Sequence, residues 1–225
     1  MGETVETNSL EVRWFGTGPP PTALSTWLSE LGPADTESND AARRTDLYFP
    51  PFDPTFNLKL RGGDADAVEV KYRLGSGTRH TFGPDVTGTV EQWYKWSFPL
   101  DYAPDLWSTD RTGLWLPVEK TRLLHPFEQS VLRSLDPRLS ETGATAHVEV
   151  TEVTARSTTG WTCCVEAAGE PADLEDVVDA LGDALFGESF PVELGEDQSL
   201  GYVEWLRQLS ADVSPNAGVR PPSKR

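Results

Sequence analysis

The chain has 225 residues, of which 36 are acidic and 19 basic, and its net charge is −17. This length suits one large domain or at most two small ones. Such acidity argues against nucleic acids and anionic membranes as general partners, because binding them relies on broad positive surfaces. It favours solubility, and it is also typical of salt-adapted proteins.

Hydrophobic periodicity and turn signals predict eight strands and two main helices. The predicted strands cover residues 10–16, 45–49, 57–61, 68–74, 90–98, 114–124, 146–157 and 161–168. The main helices cover residues 23–31 and 173–186, and two shorter helices cover 127–134 and 201–209. We expect disorder in the polar residues 1–8 and in the tail 210–225, and a mobile glycine-rich loop at 75–88.

The predicted strands are close in sequence, and most are joined by short turns, which favours an antiparallel sheet. Eight antiparallel strands can close into a barrel and so remove their exposed edges. We therefore predict a single α+β domain over residues 9–209, built on a closed or nearly closed eight-stranded antiparallel barrel with two main helices.

No segment approaches the roughly 20 apolar residues of a membrane helix, and the first nine residues lack the features of a signal peptide. The two cysteines, Cys163 and Cys164, are adjacent in a predicted strand, so their side chains lie on opposite faces and we expect reduced thiols. These observations predict a cytoplasmic protein with no membrane partner.

Six segments place charged residues at alternate positions of extended runs, where the side chains share one face. These faces hold eight of the 19 basic residues: Arg13, Lys59, Arg61, Lys71, Arg73, Lys95, Lys120 and Arg122. Basic residues are scarce in this acidic chain, so their concentration on one surface indicates an anion-binding surface.

Two interpretations of these faces stay open. In the first, the charges face solvent and pair across strands, for a few tenths of a kcal/mol each. In the second, the sheet closes with the charged face inward, and the bases hold a phosphorylated anion, because Arg binds phosphate bidentately and Lys adds a mobile charge. The eight bases named above are then the predicted phosphate ligands.

The interleaved acids either neutralise surplus bases or hold a divalent ion, Mg²⁺ or Mn²⁺, since Mg²⁺ takes one or two carboxylates together with phosphate oxygens. The candidate metal ligands are Glu11, Glu69, Glu91, Glu149 and Glu166. Only one of Glu149 and Glu152 can face a lumen, and we favour Glu149, which shares a face with Thr151.

An ordered set of motifs resembles a known family. The motifs are Leu10–Arg13 before a helix, Arg44–Phe49, Leu58–Arg61, Glu69–Arg73, Val118–Arg122 and the hairpin from Glu149 to Glu166. In this order they resemble the CYTH superfamily, the triphosphate tunnel metalloenzymes, over about residues 9–206. The resemblance implies a barrel in which bases bind phosphates and Glu11 and Glu166 bind the metal. Members include inorganic triphosphatases, thiamine triphosphatases and class IV adenylyl cyclases.

The sequence departs from the family pattern at the acidic strands. The family begins with Glu-x-Glu-x-Lys, whereas this chain has Arg13 and Phe15 after Glu11. The closing Glu-x-Glu is here Glu166 followed by Ala168. Loss of these carboxylates is expected to weaken metal binding, and metal ions are central to phosphoryl hydrolysis.

Three functions follow from the sequence. The first is a metal-dependent phosphohydrolase acting on a triphosphate compound, with no catalytic residue assigned. The second is a non-catalytic binder of a polyphosphate, nucleotide or other anion, and the third is an interaction scaffold without a lumen. Four tryptophans, Trp93, Trp96, Trp107 and Trp115, are interpreted either as core packing or as a stacking surface for an adenine or thiamine ring.

Overall fold

A computed structural model describes residues 4–32, 43–62, 67–99 and 114–212. Its strands, β1 to β8 in chain order, are Val5–Thr17, Arg43–Tyr48, Phe56–Arg61, Ala67–Gly83, Val86–Pro99, Leu116–Phe127, Thr145–Ala155 and Thr158–Ala168. Its helices, α1 to α4, are Thr22–Glu30, Gln129–Leu135, Pro171–Leu185 and Tyr202–Asp212. Short 3₁₀ turns occupy Pro137–Glu141 and Glu196–Gln198. None of the described helices combines the length and the apolar character needed to cross a membrane.

The strands form one closed barrel in the order β1-β5-β4-β3-β2-β6-β7-β8. All neighbours are antiparallel, and β1 closes the barrel by pairing with both β5 and β8. The predicted α+β fold with an eight-stranded antiparallel barrel is thus confirmed. Closure gives every strand a partner on both sides over part of its length, which removes the open edges that a flat sheet of these strands would have.

The ends of the fold differ from the sequence prediction. Strand β1 begins at Val5, so residues 5–8, which we expected to be disordered, pair with the end of β5 from Tyr94 to Ser97. Helix α4 continues to Asp212, so the tail does not begin at residue 210. The rest of the predicted tail, from 213 onward, and residues 1–3 lie outside the described residues.

The glycine-rich segment 75–88 is a hairpin rather than a mobile loop. Strands β4 and β5 remain paired as far as Gly83 and Val86, with a register shift between Leu74 and Thr78. Gly75 and Gly77 both have φ of 76°, a conformation that favours glycine and permits a bulge within a continuing strand. The glycines therefore bend this hairpin without ending it.

The main apolar core lies outside the barrel, between its outer wall and three helices. Val12, Trp14, Val148 and Val165 project outward from β1, β7 and β8 and are essentially buried. Helix α1 contributes Leu24 and Leu28, and α2 contributes Leu132. The predicted apolar face of α3 packs here with Leu174, Val177, Val178, Leu181 and Leu185. The barrel is thus apolar outside and polar inside.

Helix α4 closes one end of the barrel interior. Inward side chains near this end, Phe15, Val118 and Val153, form a second apolar cluster with Trp205 and Leu206 of the helix. The rings of Phe15 and Trp205 stack at a centroid distance of 5.1 Å. The approach to α4 is fixed to β1, since Leu200 N donates to the carbonyl oxygen of Arg13 at 3.1 Å.

This packing gives a stability prediction for Leu206, which is fully buried beneath the barrel end. Leu206→Ala is expected to lower the free energy of unfolding by about 2–5 kcal/mol, because it removes buried methyl groups and leaves a cavity. Urea unfolding followed by tryptophan fluorescence measures the change. The same substitution at Leu135, which is 36% exposed on α2, should change stability by about 1 kcal/mol at most. Equal effects at both positions would contradict the role of α4 in closing the barrel.

Candidate functional site

The strand pleat directs the charged residues of the sequence pattern into the barrel. Inward positions include the odd-numbered residues of β1, β3 and β7 and the even-numbered residues of β2, β6 and β8. They line a cavity of about 220 Å³, with Gly201, Tyr202, Val203 and Glu204 closing one side of it. This volume is slightly below the roughly 300–1,000 Å³ of drug-sized ligand sites, so the cavity suits a compact ligand.

Of the thirteen predicted ligand residues, twelve line this cavity. They are Glu11, Arg13, Lys59, Arg61, Glu69, Lys71, Glu91, Lys95, Lys120, Arg122, Glu149 and Glu166. The exception is Arg73, whose guanidinium donates to the lining carboxylate of Glu91. Glu152, which we expected to face away from a lumen, borders an outer groove instead. The structure therefore matches the second interpretation of the alternating charges, in which they face a lumen, and their roles as ligands remain predictions.

The cavity concentrates the basic residues of an acidic chain. Eight lining residues are basic and six are acidic, whereas the whole chain carries a net charge of −17. Four of the five lysines in the sequence line this one cavity. The interior therefore has the opposite charge balance to the protein as a whole.

Most of the deep bases are held by ion pairs. Arg13 donates to Glu149 Oε1 at 2.6 Å and to the Thr162 hydroxyl at 3.0 Å, and its guanidinium lies 4.8 Å from the Tyr202 ring centroid. Burial alone would raise the pKa of Glu149, but Arg13, with smaller contributions from His147 and Arg122, holds that pKa well below the ordinary range. Arg122 is a weaker partner of the same carboxylate, at 3.6 Å.

A second set of pairs lies along β3 and β4. Lys59 Nζ is 2.9 Å from Glu69 Oε2, and Arg61 reaches the other oxygen of Glu69 at 3.3 Å. Burial opposes ionisation of Glu69, yet Lys59 holds its pKa well below the usual value. Lys71 donates to Glu11 at 2.7 Å and lies 3.9 Å from Glu166.

Three bases share the single carboxylate of Asp46, which is fully buried. Lys120 donates to Asp46 Oδ2 at 2.8 Å, Lys59 lies 3.5 Å from the same oxygen, and Arg44 Nε is 3.2 Å from Oδ1. These bases overcome burial and lower the pKa of Asp46. The attraction of Asp46 offsets only part of the effect of burial on Lys120, so burial lowers the pKa of Lys120 to about 7. The group therefore has more positive than negative charge.

Three of the predicted metal ligands form a row across neighbouring strands. Glu11 is the cross-strand partner of both Glu91 and Glu166, and Glu166 is the partner of His147. Opposite residues of this kind have Cβ atoms about 4.5–5.5 Å apart. Burial raises the pKa of Glu91, and the nearby charge of Glu11 adds to this effect. Glu69 and Glu149 lie outside this row and pair with bases elsewhere.

The carboxylate row does not form a ready metal site. Within the described part of the chain, no group of three or more Asp, Glu, His or Cys side chains is arranged to hold a metal ion. Glu11 binds Lys71 and Glu91 binds Arg73 instead, while Glu166 lies between Lys71 and His147. The predicted Mg²⁺ or Mn²⁺ ligands thus have bases as their nearest partners.

Lys95 differs from the other lining lysines because it forms no hydrogen bond or ion pair with a described residue. Its cross-strand partner is Lys71, whose side chain enters the same cavity. Burial lowers the pKa of Lys95; the carboxylates of Glu69 and Glu166 oppose this effect, and the like charges of Lys71 and Lys59 act in the same direction as burial. Like charges directly opposite each other are destabilising. Lys71 is paired with Glu11, whereas Lys95 has no ion pair among the described residues.

The tryptophans of the sequence pattern do not form one surface. Trp93 lines the cavity, with Lys71 Nζ 5.6 Å from its ring centroid. Trp96 lies on the outer face against Tyr94, and Trp115 packs against Phe49. Trp107 lies outside the described residues. A shared stacking surface is therefore wrong for the three described tryptophans, of which Trp93 alone lines the cavity.

Sequence reasoning missed several lining residues, including Arg44, Tyr48, His147 and Tyr202. The first two alternate along β2 with Asp46, so the period-2 rule applied to that strand would have found them. Tyr202 could not be found this way because it belongs to α4, and its ring centroid lies 3.7 Å from Lys120 Nζ.

The adjacent cysteines are free and lie on opposite faces of β8, as predicted. Cys163 belongs to the outer apolar core, whereas Cys164 is the cross-strand partner of Arg13 and Glu149. Burial raises the pKa of the Cys163 thiol to about 12. Both side chains are therefore structural at neutral pH.

Neither a scan against protein-family models nor a search of curated proteins finds a match for this chain. The resemblance to the triphosphate tunnel metalloenzymes therefore stays a prediction that rests on sequence motifs.

The Asp46 group gives a prediction about charge burial. Asp46→Asn is expected to lower the free energy of unfolding by about 3–5 kcal/mol, because it leaves buried bases without their carboxylate. Adding Lys120→Met should recover part of this loss, since it removes one of those bases. Urea unfolding of wild type, both single variants and the double variant measures the coupling. Strictly additive effects would contradict a shared charge cluster.

The lowered carboxylate pKa values predict acid sensitivity. Asp46, Glu69 and Glu149 have lowered pKa values, and that of Glu166 falls to about 2. The unfolded chain binds these protons at higher pH than the folded protein. The free energy of unfolding that these carboxylates contribute is therefore fully present above about pH 4.5 and is lost as the pH falls towards 2. Unfolding midpoints across this range test the expectation. Glu149→Gln should reduce the slope by up to about 1.4 kcal/mol per pH unit, and an unchanged slope would count against the assignment.

Proposed function

We propose that the barrel binds a small phosphorylated anion of the triphosphate class inside its lumen. The observation that carries this proposal is the Lys71–Lys95 pair, in which two facing lysines enter one cavity and Lys95 has no partner among the described residues. A polyanion between them would remove the repulsion and supply the missing acceptor oxygens.

Two arginines support the same proposal. Arg61 and Arg122 are about one-third exposed, and their ion pairs are longer than those of the deeper bases, at 3.3 Å and 3.6 Å. A guanidinium presents a planar fork of donors that matches two phosphate oxygens. Together with Lys95 they provide bases on β3, β5 and β6 that a ligand can recruit without breaking the tight pairs of Arg13 or Lys120.

An unpaired hydroxyl also faces the cavity. Thr151 is 1% exposed, and its Oγ1 has no hydrogen-bond partner within the described residues. A buried polar atom left in this way is unfavourable by about 1–3 kcal/mol. A phosphate oxygen in the cavity would accept a hydrogen bond from the Thr151 hydroxyl. The size and closed side of the cavity favour a small molecule over a nucleic acid chain.

Hydrolysis of the same anion with Mg²⁺ or Mn²⁺ is a second candidate function, favoured by the register of Glu91, Glu11 and Glu166 across three strands. A divalent ion would neutralise charge on the phosphates and polarise the phosphorus centre. Because these carboxylates pair with bases, no step through a metal is assigned, and anion binding is the function that the geometry supports best.

Calorimetric titration with tripolyphosphate tests the primary proposal. Wild type is expected to bind, and Lys95→Met should weaken binding at least tenfold, because it removes the unpaired base. Arg133→Met is the control, since it also removes one positive charge but from the exposed surface of α2. No binding by the folded wild type, or equal weakening by both variants, would overturn a lumenal site.

Release of free phosphate in the presence of Mg²⁺ or Mn²⁺ separates the two candidates. Binding without release supports an anion-binding protein. Release that is abolished by Glu11→Gln, with tripolyphosphate binding retained, would establish the hydrolase.

A further inference from the structure

The outer surface of β3 and of the neighbouring parts of β4 and β5 is apolar, and only its edge at Leu74 borders a groove beside α3. Its largest outward side chains are Phe56, Tyr72, Leu74, Tyr94, Trp96 and Phe98, and we refer to this surface as the outer apolar wall. None of these residues belongs to either apolar cluster formed by the described part of the chain. Helices α1, α2 and α3 pack instead around β1, β6, β7 and β8, and α3 also contacts the far part of β4 at Phe82.

The strand register makes the wall continuous. Phe56 is the cross-strand partner of Tyr72, and Tyr72 is the partner of Tyr94. Two residues along β5, the Trp96 ring meets the Tyr94 ring edge-on at 4.5 Å. Residues opposite each other or two apart on a strand share one face. These aromatic side chains therefore form one surface and are not scattered.

The exposure of this wall is unusual for a folded chain in water. Phe56, Tyr72 and Phe98 are 41%, 48% and 40% exposed, and Leu74 is 38% exposed. An aromatic side chain has about 150–250 Å² to bury, so each of these rings leaves roughly 60–120 Å² in water. With the partly exposed neighbours, the wall reaches the several hundred Å² at which a patch marks an interaction site.

The distribution of charge favours a second copy of the chain as the partner at the outer apolar wall. The outward positions of these strands, from Phe56 to Leu60, Val68 to Leu74 and Gln92 to Phe98, include no charged residue, although 24% of the chain is charged. Two copies of a chain with a net charge of −17 repel each other over most approaches. At the border with β1, the Glu6 carboxylate accepts a hydrogen bond from the Tyr94 hydroxyl. Over the centre of the wall two copies can therefore meet without placing fixed charges in contact, and the acidic charge at the β1 border repels an anionic membrane.

We propose that the outer apolar wall is the contact surface of a homodimer, in which the walls of two barrels pack face to face about a two-fold axis. A two-fold contact uses the same patch on both subunits, and two regular sheet faces can interdigitate their side chains about 10 Å apart. A standard interface needs about 800 Å² from each partner. The wall supplies the apolar centre of such an interface, and its polar border supplies the remainder. This proposal stands independently of anion binding in the lumen.

Light scattering coupled to size-exclusion chromatography tests the dimer. Wild type at micromolar concentration is expected to give about twice the monomer mass of 24.8 kDa. Tyr72→Glu, which adds a charge at the most exposed ring of the wall, should return the mass to that of the monomer. Val131→Glu, at a 40% exposed apolar residue of α2, is the matched control and should leave the dimer intact.

Unchanged circular dichroism and an unchanged urea midpoint at low protein concentration establish that Tyr72→Glu still folds. A second variant, Phe98→Glu, probes β5 in the same way and should also give a monomer. A wild type that stays monomeric at all concentrations would overturn the proposal. A monomer that binds lipid vesicles through the wall would also overturn it. So would a dimer that survives both substitutions.

Discussion

The structure depends on burying one charged face of a sheet inside a closed barrel. Charges moved away from water are unfavourable unless each has a close partner, and here the pairs Arg13–Glu149, Lys71–Glu11 and Lys59–Glu69 provide those partners at 2.6–2.9 Å. Each pair joins different strands, so the register of the barrel and the neutralisation of its interior stabilise each other. The pairs also fix the bases at defined positions, which an unpaired cluster of flexible side chains would not achieve.

The ion pairs in the barrel leave basic residues, not acidic ones, without full partners. One carboxylate, Asp46, serves three bases, and Lys95 has no ion pair with a described residue. Self-repulsion of this kind destabilises the free protein, but it also means that an anion gains attraction from groups already in place. In the proposed complex, the residues whose mutual repulsion weakens the free protein would be the ones that hold the anion. The unpaired hydroxyl of Thr151 in the same cavity is likewise unfavourable in the free protein and available to a ligand.

The period-2 pattern predicted the strands and which residues of each strand share a charged face, because side-chain direction follows directly from strand geometry. The barrel was predicted from the number of antiparallel strands, and the pattern alone left open whether the charged face points inward or to solvent. It could not predict which acid pairs with which base, since that depends on register between strands far apart in sequence, such as Arg13 and Glu149. The period-2 pattern of the strands also could not predict the role of α4, because Tyr202 enters the lumen through tertiary packing. The prediction of a loop at 75–88 is wrong. Glycines often end a strand, but Gly75 and Gly77 accommodate a bulge in a hairpin that continues through this segment.

A polar lumen imposes a requirement on the outside of the barrel. Strands that direct charges inward can bury apolar side chains only on their outer face, so that face must be covered for the strand to gain stability from burial. Helices α1 to α3 provide this cover for β1, β7 and β8 through residues such as Trp14 and Val148. Strand β3 and the parts of β4 and β5 paired beside it carry equally apolar outer residues, among them Tyr72 and Phe98, that belong to neither apolar cluster of the described residues. The strands that contribute Lys59, Arg61, Lys71 and Lys95 to the lumen are thus the ones that gain most from a second surface packed against them.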